Sequence, residues 1–459
     1  MSTWYESAVF YHIYPLGLCG APKINNEAEL QHHMTDLEKW IPHIKGIGCT
    51  GIYIGPLFES VGHGYETTDY KLVDKRLGTN EDFKSFVNEC HKSGIKVIVD
   101  GVFNHTGREF FAFKDIRENL QNSIYKNWYC NVNFNGNTEY NDGFSYDAWG
   151  GYNLLAKLDQ RNPEVKRYLF DVIRFWVSEF DIDGIRLDAA DVLDFDFMHE
   201  MRLVANEVKE DFWLMGEVIH GDYSRWANND MLHSVTNYEL HKGLFSGHND
   251  HNYFEIAHTV KRINSLCGDT KLYTFVDNHD VNRIQSKLID KEHLYPVYLI
   301  LYTLPGIPSL YYGSEFSISG EKENGSDDGI RPYINLDDYC DLQLQNEWSV
   351  DYYKDGDYLR LLKLIASLGE AKKKYKELNY GEYKELTLTN RQFSFARILD
   401  NSAVITIVNN DNKEVQMNLC LPIPANTATD ILTGENIKIE NGCINLTIHS
   451  NGGSIIHIS

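Results

Sequence analysis

The strongest constraint in this 459-residue chain is a rhythm. Eight short apolar, β-branched runs punctuate its first two thirds, at residues 9–14, 51–54, 96–100, 184–188, 212–217, 234–238, 272–277 and 309–312. Between them, apolar residues recur at helical spacing. Leu30, Met34, Leu37, Ile41 and Ile44 form one such stripe; Phe83, Phe86, Val87 and Cys90 form another; Val165, Leu169, Val172, Trp176 and Phe180 form a third. Asn162 before Pro163 predicts a helix start, a capping side chain followed by proline at the first helical position. Strand–helix alternation repeated eight times predicts an α/β chain closed as a parallel (β/α)8 TIM barrel. The stretch 106–162, after the third strand, is too long for a plain loop and is rich in Asn, Gly and aromatics. It predicts a small insertion subdomain leaning over the barrel mouth. From Tyr380 the pattern changes to period two, as in Ser394–Ala396–Ile398, which predicts a C-terminal antiparallel β domain. The expected division is a barrel over 1–105 and 163–375, the insertion over 106–162, and a C-terminal β-sandwich over 376–459.

Composition narrows the partners. The formal net charge is −23, so the surface repels phosphate backbones and anionic lipid. No nucleic-acid or membrane partner is expected. The longest apolar runs, such as 297–304, fall far short of the roughly 18 residues of a membrane span. The N-terminus MSTWYESAVF has no basic stretch, apolar stretch or cleavage site, which predicts a cytoplasmic protein. Eight cysteines lie scattered with no CxxC pair and are expected as free thiols. A homo-oligomer is compatible with all of this.

Catalytic groups in such a barrel sit at the C-terminal ends of strands. Those ends carry Asp100, Asn104 and His105; Arg186 and Asp188; Glu217; and Asp277, Asn278, His279 and Asp280. Residues two apart on a strand face one side, so Arg186 and Asp188 both point into the barrel. An arginine beside an aspartate keeps it ionised, as a carboxylate nucleophile requires, although the same pair could simply brace the barrel. Several carboxylates crowded together repel, and one tends to keep a proton. A protonated acid beside ionised carboxylates suits glycoside hydrolysis. Histidines among carboxylates equally suit a metal-dependent hydrolase or isomerase, though the first strand offers only a lone His12.

In order along the chain, these residues resemble the motifs of the α-amylase family, glycoside hydrolase family 13. D-x-x-x-N-H matches Asp100 to His105, G-x-R-x-D matches Gly184 to Asp188, G-E matches Gly216–Glu217, and N-H-D matches Asn278 to Asp280. Residues 64–70, 155–159 and 306–313 fit accessory segments of the family. The resemblance implies Asp188 as nucleophile, Glu217 as general acid/base and Asp280 as the stabilising carboxylate. It implies Tyr65, His105, Arg186 and His279 around the sugar at the point of cleavage, with Tyr65 stacking on it. Asp327 and Arg331 fit a D-x-x-x-R element that holds sugars further out.

Residues 110–115 and 162–165 look most like the cyclomaltodextrinase and neopullulanase group, without room for that group's extra N-terminal β domain. After the nucleophile stands Ala189–Ala190–Asp191–Val192, not the lysine–histidine pair of many α-amylases, and the loop 17–26 lacks clustered aspartates. No cofactor is therefore expected and calcium is not expected, with Asn104 and Asp142 left as candidates for a different calcium site. The implied activity is a retaining hydrolase of α-glucosidic bonds in maltodextrins or short α-glucans. An α-glucanotransferase is the alternative, and a non-catalytic sugar-binding protein a third reading. Glu217 is expected to titrate above Asp188. Of Trp128, Tyr129, Tyr146, Trp149 and Tyr152 in the insertion, at least one is expected to face the cleft.

Overall fold

The computed structural model describes residues 3–25, 29–323, 325–341 and 348–459. Asn26, at the end of the loop read for calcium ligands, lies outside the described residues. All eight expected strands form, in chain order Phe10–Ile13, Gly51–Ile54, Lys96–Gly101, Gly184–Leu187, Trp213–Gly216, Ser234–Val235, Tyr273–Phe275 and Ile307–Tyr311. Each pairs in parallel with its chain neighbour, and the eighth returns to the first through Phe10 opposite Ser309. Only the sixth and seventh meet weakly, through one bridge from Thr236 to Tyr273 and a 2.8 Å bond from the Asn237 N–H to the Tyr273 carbonyl.

Strand periodicity sorts side chains onto two faces. Tyr11, Ile13, Ile52, Ile54, Val97, Val99, Ile185 and Leu187 face outward into the main core. Phe10, Tyr53, Ile98, Trp213, Met215, Tyr273, Phe275 and Ile307 fill the barrel, and Trp4 and Tyr5 pack beneath them. The same alternation puts His12, Asp100 and Arg186 one layer higher, inside the mouth. Gly184 opens the fourth strand because a Cβ there would lie 2.5 Å from the Trp213 carbonyl oxygen.

The helices follow their stripes. Pro163–Phe180 buries Val165, Leu169, Val172, Trp176 and Phe180, and the Asn162 side chain accepts from the Glu164 N–H as an N-cap. Asn80–Lys92 buries Phe83, Phe86, Val87 and Cys90 behind a Thr79–Asp82 capping box. The first stripe is corrected: Leu30 lies exposed outside a helix that runs His33–Leu37, Glu38–Trp40 and Ile41–Gly46. Its apolar contacts form from Met34 onward. The sixth strand is also shorter than expected, because the Asn237 side chain caps a helix that begins at Tyr238.

Beyond the barrel a five-stranded antiparallel sheet stacks on a three-stranded one. Its central strands are buried on both faces. Phe393, Phe395, Val404 and Val408 join the barrel's core, while Ala396, Ile405 and Ile407 face the small sheet. The free-thiol expectation fails at one pair: Cys420 and Cys443 stand opposite each other on neighbouring strands and form a disulfide. The other six cysteines are free. Among the described residues, no helix is long and apolar enough to cross a membrane.

Below the barrel, buried Asp183 gathers Lys96 Nζ and Lys209 Nζ at 2.9 Å, His91 Nε2 at 2.7 Å and the Val97 N–H at 2.9 Å. These bonds overcome the cost of burial and hold its carboxyl below the usual range. Asp183→Asn is expected to cost about 3 kcal/mol in urea unfolding at neutral pH, since it strands buried cationic partners. A carboxyl depressed in the fold stabilises above its unfolded value near 4 and loses that stabilisation as pH falls. The wild type–mutant gap should therefore narrow below about pH 4.

Candidate active site

One guanidinium organises the barrel mouth. Arg186 Nη1 lies 2.8 Å from Asp100 Oδ1 and 3.0 Å from Asp188 Oδ1, and Nη2 lies 2.9 Å from Glu217 Oε2. Three strand ends are thus tied by one side chain, which parallel neighbours at ~4.8 Å spacing permit. The backbone sets the rest. Asp188 N–H donates to the Gly101 carbonyl, and Glu217 N–H to the Leu187 carbonyl. Ala189 turns into the left-handed region (φ 47°), and its N–H donates to Glu217 Oε2 at 3.0 Å. A left-handed alanine costs free energy, and such positions cluster at functional sites.

The seventh strand end supplies a second chain of contacts. His279 Nε2 lies 2.9 Å from Asp280 Oδ2 and also meets the Tyr65 hydroxyl. Arg331 Nη2 lies 2.9 Å from Asp280 Oδ1 and 2.7 Å from Asp327 Oδ2. Arg331 Nε donates to the His279 carbonyl at 2.8 Å, and Lys322 reaches Asp327 at 2.8 Å. The Tyr65 ring stacks on His279 (5.8 Å, 14°) and its hydroxyl donates to Asp100 Oδ2 at 3.1 Å. Gly64 before it takes a φ of 99°, where a Cβ would press on Pro56. His105 is buried, accepts from Asn104 Nδ2 at 3.2 Å, and has an unpartnered Nε2. Burial pushes its imidazole down to about 3, so it is neutral.

All nine residues singled out in the sequence therefore meet at one mouth. Eight belong to a continuous network; His105 stands at its side.

The electrostatics correct one expectation. Burial pushes both Asp188 and Glu217 up, and the push on Asp188 is the stronger. Arg186 pulls on both, because it is shared among Asp100, Asp188 and Glu217 and is not reserved for Asp188. The two acids titrate as a pair that retains a proton above the ordinary carboxylate range. Asp280 is different: His279 and Arg331 outweigh burial and hold it below that range.

A cleft of about 320 Å³ opens beside Glu217, lined by Asn104, Trp149, Lys157, Asp191, Val192 and Ile219 among others. Trp149 is 39% exposed and stands 6.1 Å from the His105 ring; Tyr152, 65% exposed, stacks beside it at 6.4 Å and 24°. The other insertion aromatics pack internally: Trp128 Nε1 donates to Glu164, Tyr129 bonds Thr106, and Tyr146 donates to the Asn153 carbonyl. Asp142, a candidate for calcium with Asn104, is instead gripped by Arg108 at 2.7 and 3.1 Å. Among the described residues, no group of three or more His, Cys, Asp or Glu is arranged to hold a metal ion.

Sequence reasoning passed over four residues that the geometry brings in. Asp100 and Tyr53 support Arg186, with Tyr53 OH donating to Asp100 Oδ2 at 2.9 Å. Asn278 accepts the Asp280 N–H at 2.8 Å and donates to the Tyr238 hydroxyl at 3.1 Å. Inward-facing positions one layer below the mouth carried the signal for Tyr53; Tyr238, on a helix start, left none.

Residues 34–334 match the family profile described as alpha amylase, catalytic domain. The chain is 30% identical over 464 residues to the maltogenic alpha-amylase of Bacillus acidopullulyticus, covering 96% of this chain and 75% of that protein. It is 30% identical over 480 residues to neopullulanase 2 of Thermoactinomyces vulgaris, covering 99% and 78%. A solved cyclomaltodextrinase superposes with a TM-score of 0.85 at 24% identity, over 99% of this chain and 78% of that one.

Proposed function

The chain belongs to the alpha-amylase family of glycoside hydrolases, and from that premise we propose that it cleaves α-glucosidic bonds in maltodextrins and similar short α-glucans with retention of configuration. The observation that carries this reading is the single guanidinium gripping both Asp188 and Glu217. It sets their spacing by its own width. Retaining enzymes hold their carboxyls roughly 5–5.5 Å apart, while inverting ones leave about 6.5–9.5 Å for a water.

Asp188, bound to Arg186 through Oδ1, attacks the anomeric carbon with Oδ2. Glu217, whose Oε2 takes Arg186 and the Ala189 N–H, delivers the proton of Oε1 to the departing glycosidic oxygen. The C–O bond to the leaving sugar breaks as the bond to Asp188 forms. Glu217 then accepts a proton from water, whose oxygen displaces Asp188 and regenerates both groups. Asp280, ionised throughout, stabilises the positive charge that develops on the sugar ring. His105, His279 and Tyr65 line the ring's pocket, and Arg331 with Asp327 holds Asp280 in place. The test is the configuration of the first product: NMR of fresh maltotriose digests should show the α-anomer, and a β-anomer defeats the proposal.

The roomy, aromatic-walled side next to Glu217 favours a second reading, glycosyl transfer to another sugar. Glucose and maltose alone from maltotriose mean hydrolysis; longer oligomers mean transfer. Trp149 and Tyr152 stand on this leaving-group side. Trp149→Ala is expected to raise KM for maltoheptaose about tenfold more than for maltotriose, as an outer stacking contact is lost only when substrate reaches it. Equal effects on both substrates would make Trp149 a packing residue.

A further inference from the structure

His12 belongs to no motif, yet it sits directly under the mouth. It is the third residue of the first strand, points into the barrel and is 2% exposed. Its ring stacks on Tyr53 (4.2 Å, 23°), lies 4.9 Å from Tyr311, and stands perpendicular to His279 at 5.0 Å. His12 Nε2 is buried with no hydrogen-bond partner, and so is His279 Nδ1. An unsatisfied buried polar atom costs about 1–3 kcal/mol, and the usual remedy is an internal water. Two such nitrogens on touching rings call for one shared partner.

The other nitrogen of His279 is committed. Its Nε2 faces Asp280 Oδ2, and an ionised carboxylate only accepts, so Nε2 carries hydrogen. What stands at Nδ1 therefore decides whether His279 is neutral or an imidazolium. The groups around His12 decide its own state. Arg186, Arg283 and His279 face it as cations, Asp280 as the one carboxylate, and Tyr53 and Tyr311 as neutral rings. Burial and this cationic excess keep His12 neutral. A neutral imidazole keeps a lone pair at the nitrogen that carries no hydrogen.

We propose that His12 is a positioning residue: one water bridges its Nε2 to His279 Nδ1, and this accepting bridge holds His279 doubly protonated against Asp280. The His279 Nδ1–H donates to the water, and the water donates to His12. His279 then presents Nε2–H to Asp280 Oδ2 while Arg331 takes Oδ1, which fixes the carboxylate plane. The inference rests on the reading of Asp280 as the stabilising carboxylate.

The test isolates His279 from Glu217. In a Glu217→Gln background, fluoride release from α-maltosyl fluoride needs no acid, so the remaining alkaline limb reports His279. His12→Phe keeps the ring and removes the acceptor. It should move that limb down by about one pH unit, the size of one lost hydrogen bond to a charged group. His12→Gln, whose amide oxygen accepts from the water, should restore most of the shift. A limb unmoved by His12→Phe, or a glutamine variant that behaves like phenylalanine, overturns the proposal. Should the phenylalanine variant not fold, a crystal structure resolving ordered water decides: a water bonded to both nitrogens supports it, and separate partners overturn it. Asp280→Asn separates the two levels. Loss of at least about 100-fold in kcat is expected. Unchanged turnover would sink the reading of Asp280 itself, whereas lost turnover with an unmoved limb would sink only the role of His12.

Discussion

Asp188→Asn should lower kcat on maltooligosaccharides by on the order of 10⁴-fold or more, with KM little changed. The amide cannot form the glycosyl-enzyme, and without that intermediate the remaining groups have nothing to complete. The fold should not suffer. Asp188 is a buried carboxylate that shares Arg186 with Asp100 and Glu217, and burial already pushes its proton affinity up. Removing the charge relieves repulsion and desolvation, so Tm should rise. Kinetics and calorimetry on one preparation check both halves. A mutant with a tenth of wild-type turnover would show that Asp188 is not the nucleophile; a mutant with a collapsed Tm would show a bracing role instead.

Glu217→Gln should cost about 10³-fold on maltooligosaccharides yet leave fluoride release from an activated α-glycosyl fluoride nearly intact. Fluoride leaves without a proton, so only the acid-dependent bond cleavage is lost. Wild-type activity should be bell-shaped in pH, because the Asp188–Glu217 pair must hold one proton. Gaining a second one silences the nucleophile, and losing the first silences the acid. Since burial raises both groups, the acid limb should lie above about 4. Asp280, held low by His279 and Arg331, does not limit that range. An alkaline limb at the wild-type pH in Glu217→Gln on the fluoride would remove Glu217 from the acid's role.

The barrel was legible because its signals are local. Each strand is a short β-branched run and each long helix a stripe, and the hydrophobic pattern alone fixes which face turns inward. The strand-end residues were legible through their order along the chain. Contacts across strands were not. Nothing in the spacing of Arg186 and Glu217 states that one guanidinium reaches both carboxylates, and the expected order of their proton affinities failed on that contact. His12 read as a lone histidine on an apolar strand, since a single inward polar residue leaves no periodic trace. The insertion hid its sorting too. Trp128, Tyr129 and Tyr146 are buried while Trp149 and Tyr152 are not, and without a helical or strand period the sequence offers no phase to tell them apart.

The seam between the sixth and seventh strands has a consequence for motion. A ring of strands opens where its ladder is shortest, and here that is one bridge at Thr236 and Tyr273. Glu217 stands on one bank of this seam and Asp280 on the other. Amide hydrogens flanking it, at Asn237 above all, should exchange sooner than those of the third and fourth strands. A glycan bound to both carboxylates spans the gap, so binding should slow that exchange selectively. The enzyme's most loosely stitched joint would then be the one its own ligand draws shut.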